Sequence, residues 1–187
     1  MVIYLIALTI SFFPLGPGKT TTSKPIDLRS LLNCPGYGDN GWGNNEWQLY
    51  TNNNAKVVDG SLIITAKKES NTIGKRNGSI TSSRLTTQGK VTVGPGMRVE
   101  AKIKGPWGQG IWPAFWTIGA NFPDVGWPSC GEIDILEYAG GNPLSNDKNK
   151  INFSTHHWSH NGSHASYGNS ITPVSYTHLT LPTKRIV

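Results

Sequence analysis

The residues best placed to do chemistry are Glu132, Asp134 and Glu137, three carboxylates inside the apolar, β-branched run Gly131-Glu132-Ile133-Asp134-Ile135-Leu136-Glu137-Tyr138. Such a run reads as a buried strand, where an unpaired carboxylate is costly and so needs a reason. Glu132 and Asp134 lie two apart and point to one face, while Ile133 and Ile135 point to the other, into a core. Glu137 has the wrong parity for the acidic face, and a β-bulge around Ile135-Leu136 would rotate it back. Carboxylates clustered on a rigid strand suit glycoside hydrolysis, in which a nucleophile and an acid about 5–5.5 Å apart give retention of configuration. Asp134, between the two glutamates, would raise a neighbour's proton affinity by like-charge repulsion and so separate their roles. Two other readings are a sheet edge guarded by inward charges and a divalent-cation site. Edge protection does not need three acids on one face, and Asn or Gly ligands at calcium-loop spacing are missing.

The elements that must position these acids are short strands. Twenty-two Gly, twelve Pro, seven Trp, six Tyr and five Phe in 187 residues, with no convincing amphipathic helix, predict one all-β sandwich or barrel. Alternation over residues 97–104 predicts a strand with Met97, Val99, Ala101 and Ile103 facing in. Residues 61–67 and 79–85 read as two more strands across a polar loop at 70–78, and Asp59-Gly60 as a turn. The formal charge of +6 is spread over turns and the chain end, which excludes a nucleic-acid groove. Residues 156, 157, 160 and 164 are His, but no Cys or carboxylate stands at a spacing that would complete a zinc site.

The two ends differ from the body. Residues 2–13 are apolar and uncharged before Pro14, Gly16 and Pro17, resembling the hydrophobic part of an export leader, and are too short to span a bilayer. Residues 1–24 are therefore read as a leader and the protein as secreted, without a membrane anchor. Asn77, Asn152 and Asn161 open sequons that allow glycosylation. Cys34 and Cys130 could pair or stay free, since geometry alone decides a disulfide. Residues 174–187 lack acids, Gly and turn chemistry and read as a foreign tail on a truncated body, residues 25–173.

The pattern Glu-Ile-Asp-Ile-x-Glu at 132–137 resembles glycoside hydrolase family 16 in its bulged, laminarinase-like form. Trp42-Gly43-Asn44-Asn45-Glu46-Trp47-Gln48-Leu49-Tyr50, Trp112-Pro113-Ala114-Phe115-Trp116 and Trp127-Pro128-Ser129-Cys130-Gly131 resemble further family segments. The resemblance covers roughly residues 35–170. It implies a β-jelly-roll sandwich of two antiparallel sheets with a concave glycan cleft, incomplete here because the family's later strands are absent. It also implies that Glu132 is the nucleophile, Asp134 its assistant and Glu137 the acid/base. By the same resemblance Trp116 and Trp127 line sugar subsites, Arg84 lies near the catalytic sugar, and His157 bonds the sugar beside the acid/base. Asn45 would bond a sugar or hold its own turn. Trp112 is assigned to packing, and His156 to the opposite layer.

The implied activity is retaining endo-hydrolysis of β-1,3-glucan or β-1,3-1,4-glucan by a monomer, with polysaccharide as the partner, and the truncation is expected to leave the chain as given a poor enzyme. No cofactor or metal is expected, and the ligands of the family's structural calcium are missing. The alternatives are a β-glucan recognition protein that does not cut and a relative acting on other polysaccharides. Non-cutting relatives have lost the catalytic acids, whereas all three stand here. Agarases and carrageenases keep the acids, but their substrates call for a more basic cleft.

Overall fold

The computed structural model describes residues 7–14, 24–25, 27–28, 31–36, 42, 44, 46–73, 76–95, 97–106, 110–139 and 150–171. The elements among them are nearly all strands. In order they are β1 (Ala7–Pro14), β2 (Lys24–Pro25), β3 (Leu32–Asn33), β4 (Leu49–Tyr50), β5 (Ala55–Val58), β6 (Ser61–Ile64), β7 (Lys67–Ile73) and β8 (Arg76–Ser82). There follow β9 (Leu85–Thr86), β10 (Met97–Ile103), β11 (Ala114–Ile118), one helical turn α1 (Phe122–Val125), β12 (Glu132–Ala139), β13 (Lys150–His160) and β14 (Ser163–Ile171).

Strands β11, β12, β13 and β14 form an antiparallel sheet in chain order. The last hairpin is closed by Asn161-Gly162, both at positive φ (50° and 77°), the chemistry of a two-residue turn whose twist matches its strands. Asp59-Gly60, at φ 47° and 72°, closes β5 and β6 in the same way, as the sequence predicts. The remaining sheets have the orders β10-β1-β2, β4-β8-β7, β3-β9 and β5-β6, with β4 and β8 parallel.

The predicted bulge is present. Asp134 pairs with Trp116 and Leu136 with Phe115, so Ile135 is the extra residue of β12 against β11. Strand β13 is irregular at the same level against β14, between Phe153 and His156. Between β12 and β13 the register holds from Glu132↔His157 to Glu137↔Asn152. The two irregularities therefore match and cross the sheet together.

Leu62 and Ile64 of β6 are the centre of the core, at 3% and 6% exposure. Leu85, Ala101, Ile103 and Phe115 close on them from β9, β10 and β11, with Leu28, Leu31, Ala55 and Val57. Burying a side chain of this size is worth about 1.5–3 kcal/mol, and through Phe115 this cluster joins the β11–β14 sheet to the other strands.

Three expectations are corrected, on residues 70–78, on Met97, and on Ile133 with Ile135. Residues 70–78 are not a loop: most of them belong to the β7–β8 hairpin, whose ladder runs to Ile73↔Arg76. Polar side chains and a Gly disguise a strand that backbone pairing defines. Met97 is 40% exposed, whereas Ala101 and Ile103 face in as expected. Ile133 and Ile135 are half-buried rather than core. Ala7–Pro14, inside the segment read as a leader, forms β1 and pairs along β10 from Ile103 to Met97. The tail at 174–187 and Asn45 lie outside the described residues.

Candidate active site

Glu132 opens β12 directly after Gly131, whose φ of 74° suits glycine and turns the chain into the strand. The base of the preceding loop is pinned by Gly119 N–H donating to the Gly131 carbonyl at 3.0 Å. A Cβ on Gly119 would stand 2.0 Å from the Cys130 carbonyl oxygen, so only glycine allows this approach. The loop between these glycines carries Trp127. Cys34 and Cys130 are both free thiols.

Two residues on, Asp134 is 3% exposed. Its Oδ2 lies 3.0 Å from His157 Nε2, and its carboxyl is also hydrogen-bonded to Glu132. Burial is the main reason that Asp134 rises from its ordinary 3.8 to about 6, with repulsion from Glu132 next and His157 pulling the other way. Burial also raises Glu132, against the attraction of His157 and the hydrogen bond from Asp134, with Glu137 adding to the rise and Arg84 opposing it. A hydrogen bond between two carboxyls requires a shared proton, which Asp134 holds below about pH 6.

Glu137 pairs with Ala114 across the bulge and feels Glu132 electrostatically. Its Oε1 accepts a hydrogen bond of 2.8 Å from Trp112 Nε1. Trp112, assigned from sequence to packing, thus holds the third acid. Only a contact across strands reveals this, because nothing in the local pattern separates a packing indole from a donating one.

Arg84 lies between two indoles, its guanidinium carbon 4.6 Å from the Trp42 ring and 5.0 Å from that of Trp116. Cation–π contact with the two rings holds the guanidinium without using its N–H donors. Beside it Glu46, Gln48 and Tyr50 share one face leading into β4 and are buried. Tyr50 donates to Glu46 Oε2 at 2.7 Å, and Gln48 Nε2 donates to Glu46 and to Tyr50 Oη. Burial, then the Glu46 charge, raises the Tyr50 phenol, so it remains protonated. Gln48 Oε1 and Trp42 Nε1 are buried without a partner among the described residues, and the Trp42 ring lies 5.6 Å from that of Tyr50. The strict alternation of polar residues at 46, 48 and 50 was a legible cue to this network, although sequence reasoning singled out only Asn45.

Trp127 is 46% exposed, and its ring centroid lies 4.7 Å from His164 and 6.3 Å from His157. His157 Nδ1 meets His164 Nε2 at 2.9 Å. His156 opposes Ile133 one residue along and so takes the other face. Ligand atoms of Glu132, Asp134 and His157 all lie within 4.8 Å of one another, close enough to consider a cation. As arranged, they face one another through hydrogen bonds, the geometry of shared protons. Of the sequence-predicted residues, the structure therefore gathers Glu132, Asp134, Glu137, His157, Trp127, Trp116 and Arg84 around one stretch of β12.

This arrangement can present an ionised carboxylate and a proton donor to one acetal bond between aromatic platforms. A model of the XgeA-like catalytic domain of glycoside hydrolase family 16 matches residues 38–180. The chain is 44% identical over 133 residues to the clotting factor G alpha subunit of Tachypleus tridentatus, covering 71% of this chain and 18% of that protein. It is 44% identical over 110 residues to a glucan endo-1,3-beta-glucosidase of Cryptopygus antarcticus, covering 57% of this chain and 40% of that one. The solved endo-β-1,3-glucanase of Pyrococcus furiosus superposes with a TM-score of 0.64 at 36% identity, covering 81% of this chain and 57% of that structure. The chain thus spans well under two thirds of the length of these relatives. Its strands are those of the β-jelly-roll fold that the solved laminarinases share. On the match across most of its length, the chain belongs to glycoside hydrolase family 16.

Proposed function

We propose that the protein is a retaining endo-hydrolase of β-1,3-glucan or mixed β-1,3-1,4-glucan. Glu132 attacks the anomeric carbon while Glu137 protonates the departing oxygen. Glu137, now a carboxylate, then takes a proton from the water that releases the sugar from Glu132. The proton on Asp134 keeps Glu132 ionised for attack and compensates it as charge moves to the sugar. The Trp112 hydrogen bond steadies Glu137 in both states.

The observation that carries this reading is the bulge at Ile135, which sets Glu137 against Trp112 and within electrostatic reach of Glu132. Support for a sugar comes from Trp116 and Trp127, whose rings suit the C–H faces of pyranoses. The glucanase names of the relatives set the choice of glucan.

The test is incubation of the chain with laminarin and with mixed-linkage glucan, following the first-formed anomer by NMR. Retention is expected, and Glu132→Ala is expected to abolish cleavage. An inverted product, or binding of glucan without cleavage, would sink the reading, the second in favour of recognition alone. We also propose that the protein acts as a monomer outside the cell, on the apolar run at 2–13 and the polymeric nature of its substrate. Intact mass of exported protein should show a start near residue 25, and a chain retaining residues 7–14 would assign them to the sheet instead.

A further inference from the structure

We propose that His164 is a positioning residue: its Nε2–H fixes the tautomer of His157 and, through it, where the proton between Asp134 and Glu132 resides. The Asn161-Gly162 turn sets the register Ser159↔His164 and His157↔Ser166, which makes His157 and His164 diagonal neighbours on one face. Their ring planes differ by 16° with centroids 5.1 Å apart, and Nδ1 to Nε2 is 2.9 Å. Near-parallel planes at that centroid distance, with the nitrogens in contact, describe two rings joined edge to edge by a hydrogen bond, not a face-to-face stack. Trp127 covers His164 from the loop before β12.

A nitrogen-to-nitrogen contact holds one proton and admits two polarities. In the first, His164 donates to His157 Nδ1, so neutral His157 carries its proton on Nε2 and donates to Asp134 Oδ2. Asp134 then uses its own proton on Glu132, and every donor points toward Glu132, which is left ionised. In the second, neutral His157 donates to His164 and turns the bare Nε2 toward Asp134. Asp134 must spend its proton on His157, and Glu132, still ionised, loses the donor that compensates its charge. His164 selects the first arrangement. A doubly protonated His157 donates both ways, so acid reverses only the bond to His164. The other ionisable groups facing this line are Arg84 and Glu137, which act on Glu132. His160, on the same strand, is turned to Asn161.

The effect on rate rests on the hydrolase reading; the effect on the tautomer does not. The experiment is long-range proton–nitrogen NMR of His157 in the whole chain from pH 5 to pH 8, compared where Asp134 holds its proton and where it has lost it, with kcat and KM on laminarin over the same range. His164→Phe keeps a ring against Trp127 and removes the donor, whereas His164→Gln restores an N–H. The expected wild-type state is His157 protonated on Nε2 alone, a mixture in the Phe variant, and recovery in the Gln variant. With it, kcat should fall roughly tenfold in His164→Phe at little-changed KM, the mark of lost transition-state support, and largely return in His164→Gln. Circular dichroism melting should show all three folded, as expected for substitution of an exposed residue. An unchanged His157 tautomer in His164→Phe, or a wild-type His157 protonated on Nδ1 alone, overturns the proposal. If no form cleaves glucan, the hydrolase reading fails while the nitrogen spectrum still decides the tautomer.

Discussion

Trp112 and Glu137, 25 residues apart in sequence, meet through one hydrogen bond of 2.8 Å from the indole Nε1 to Oε1. The indole approaches from the segment leading into β11, so the acid is held across strands and not by its own backbone. Trp112→Phe keeps most of the packing and removes the donor. Since a hydrogen bond to a charged group is worth about 1.5–3 kcal/mol, kcat/KM should fall at least roughly tenfold, mostly in kcat. Steady-state kinetics on laminarin, with a melting curve within a few degrees of wild type, would bear this out. Unchanged kinetics would return Trp112 to a packing role.

Asp134 offers a pH test with a definite sign. Its folded value, about 6, lies above its ordinary 3.8, so the folded protein binds the proton more tightly than the unfolded chain. Its contribution is fully present below about pH 4 and is lost as pH rises through about 6. Asp134→Asn removes that loss. The variant should gain stability relative to wild type between pH 4 and pH 8, by an amount on the order of 2–3 kcal/mol at most. Urea melts of both proteins at the two pH values measure the difference, and a gap that shrinks as pH rises would contradict the burial argument.

Arg84 between Trp42 and Trp116 should resist conservative replacement. A lysine keeps the charge but loses the flat guanidinium that lies on both rings, contacts worth about 0.5–1 kcal/mol each. Arg84→Lys should raise KM several-fold with a smaller change in kcat. Equal KM in the two proteins would mean that the cation is surface charge and not part of the cleft.

Gly119→Ala tests the loop that carries Trp127. Its new methyl group would meet the Cys130 carbonyl oxygen at 2.0 Å and carbon at 2.8 Å, both backbone atoms that cannot rotate away. The base of the loop must open, and a loss of about 1–3 kcal/mol, typical of overpacking, is expected together with weakened glucan binding. Thermal melting and a binding titration together check this, and an unaltered melt would show that the loop gives way freely.

Much of the acid cluster was readable before any coordinates because Glu132, Asp134 and Glu137 break the strand's parity in a way that only an added residue repairs. The Asp59-Gly60 turn was equally plain, since its residue types carry its geometry. Trp112 was assigned to packing and His164 was given no role of its own, since both act through contacts between separate segments, and side-chain periodicity reports only which face a residue takes; the Glu46–Gln48–Tyr50 network lies within one stretch, and its alternation was a cue left unused. The β7–β8 hairpin was hidden for a related reason: its backbone pairs, while its sequence looks like that of a polar turn.

The matched irregularities of β12 and β13 bear on how such a site can change over generations. Glu132 and Asp134 lie on one side of that crease and Glu137 on the other, so their spacing depends on residue count rather than on side-chain choice. Point substitutions can silence an acid but cannot move it. Loss of one residue at Ile135 would bring β12 into regular pairing with β11 and break its match to β13, unless a second deletion in β13 accompanied it. Passage between bulged and regular forms of this strand is therefore a paired event in chain length, and variant libraries built from substitutions alone would never sample it.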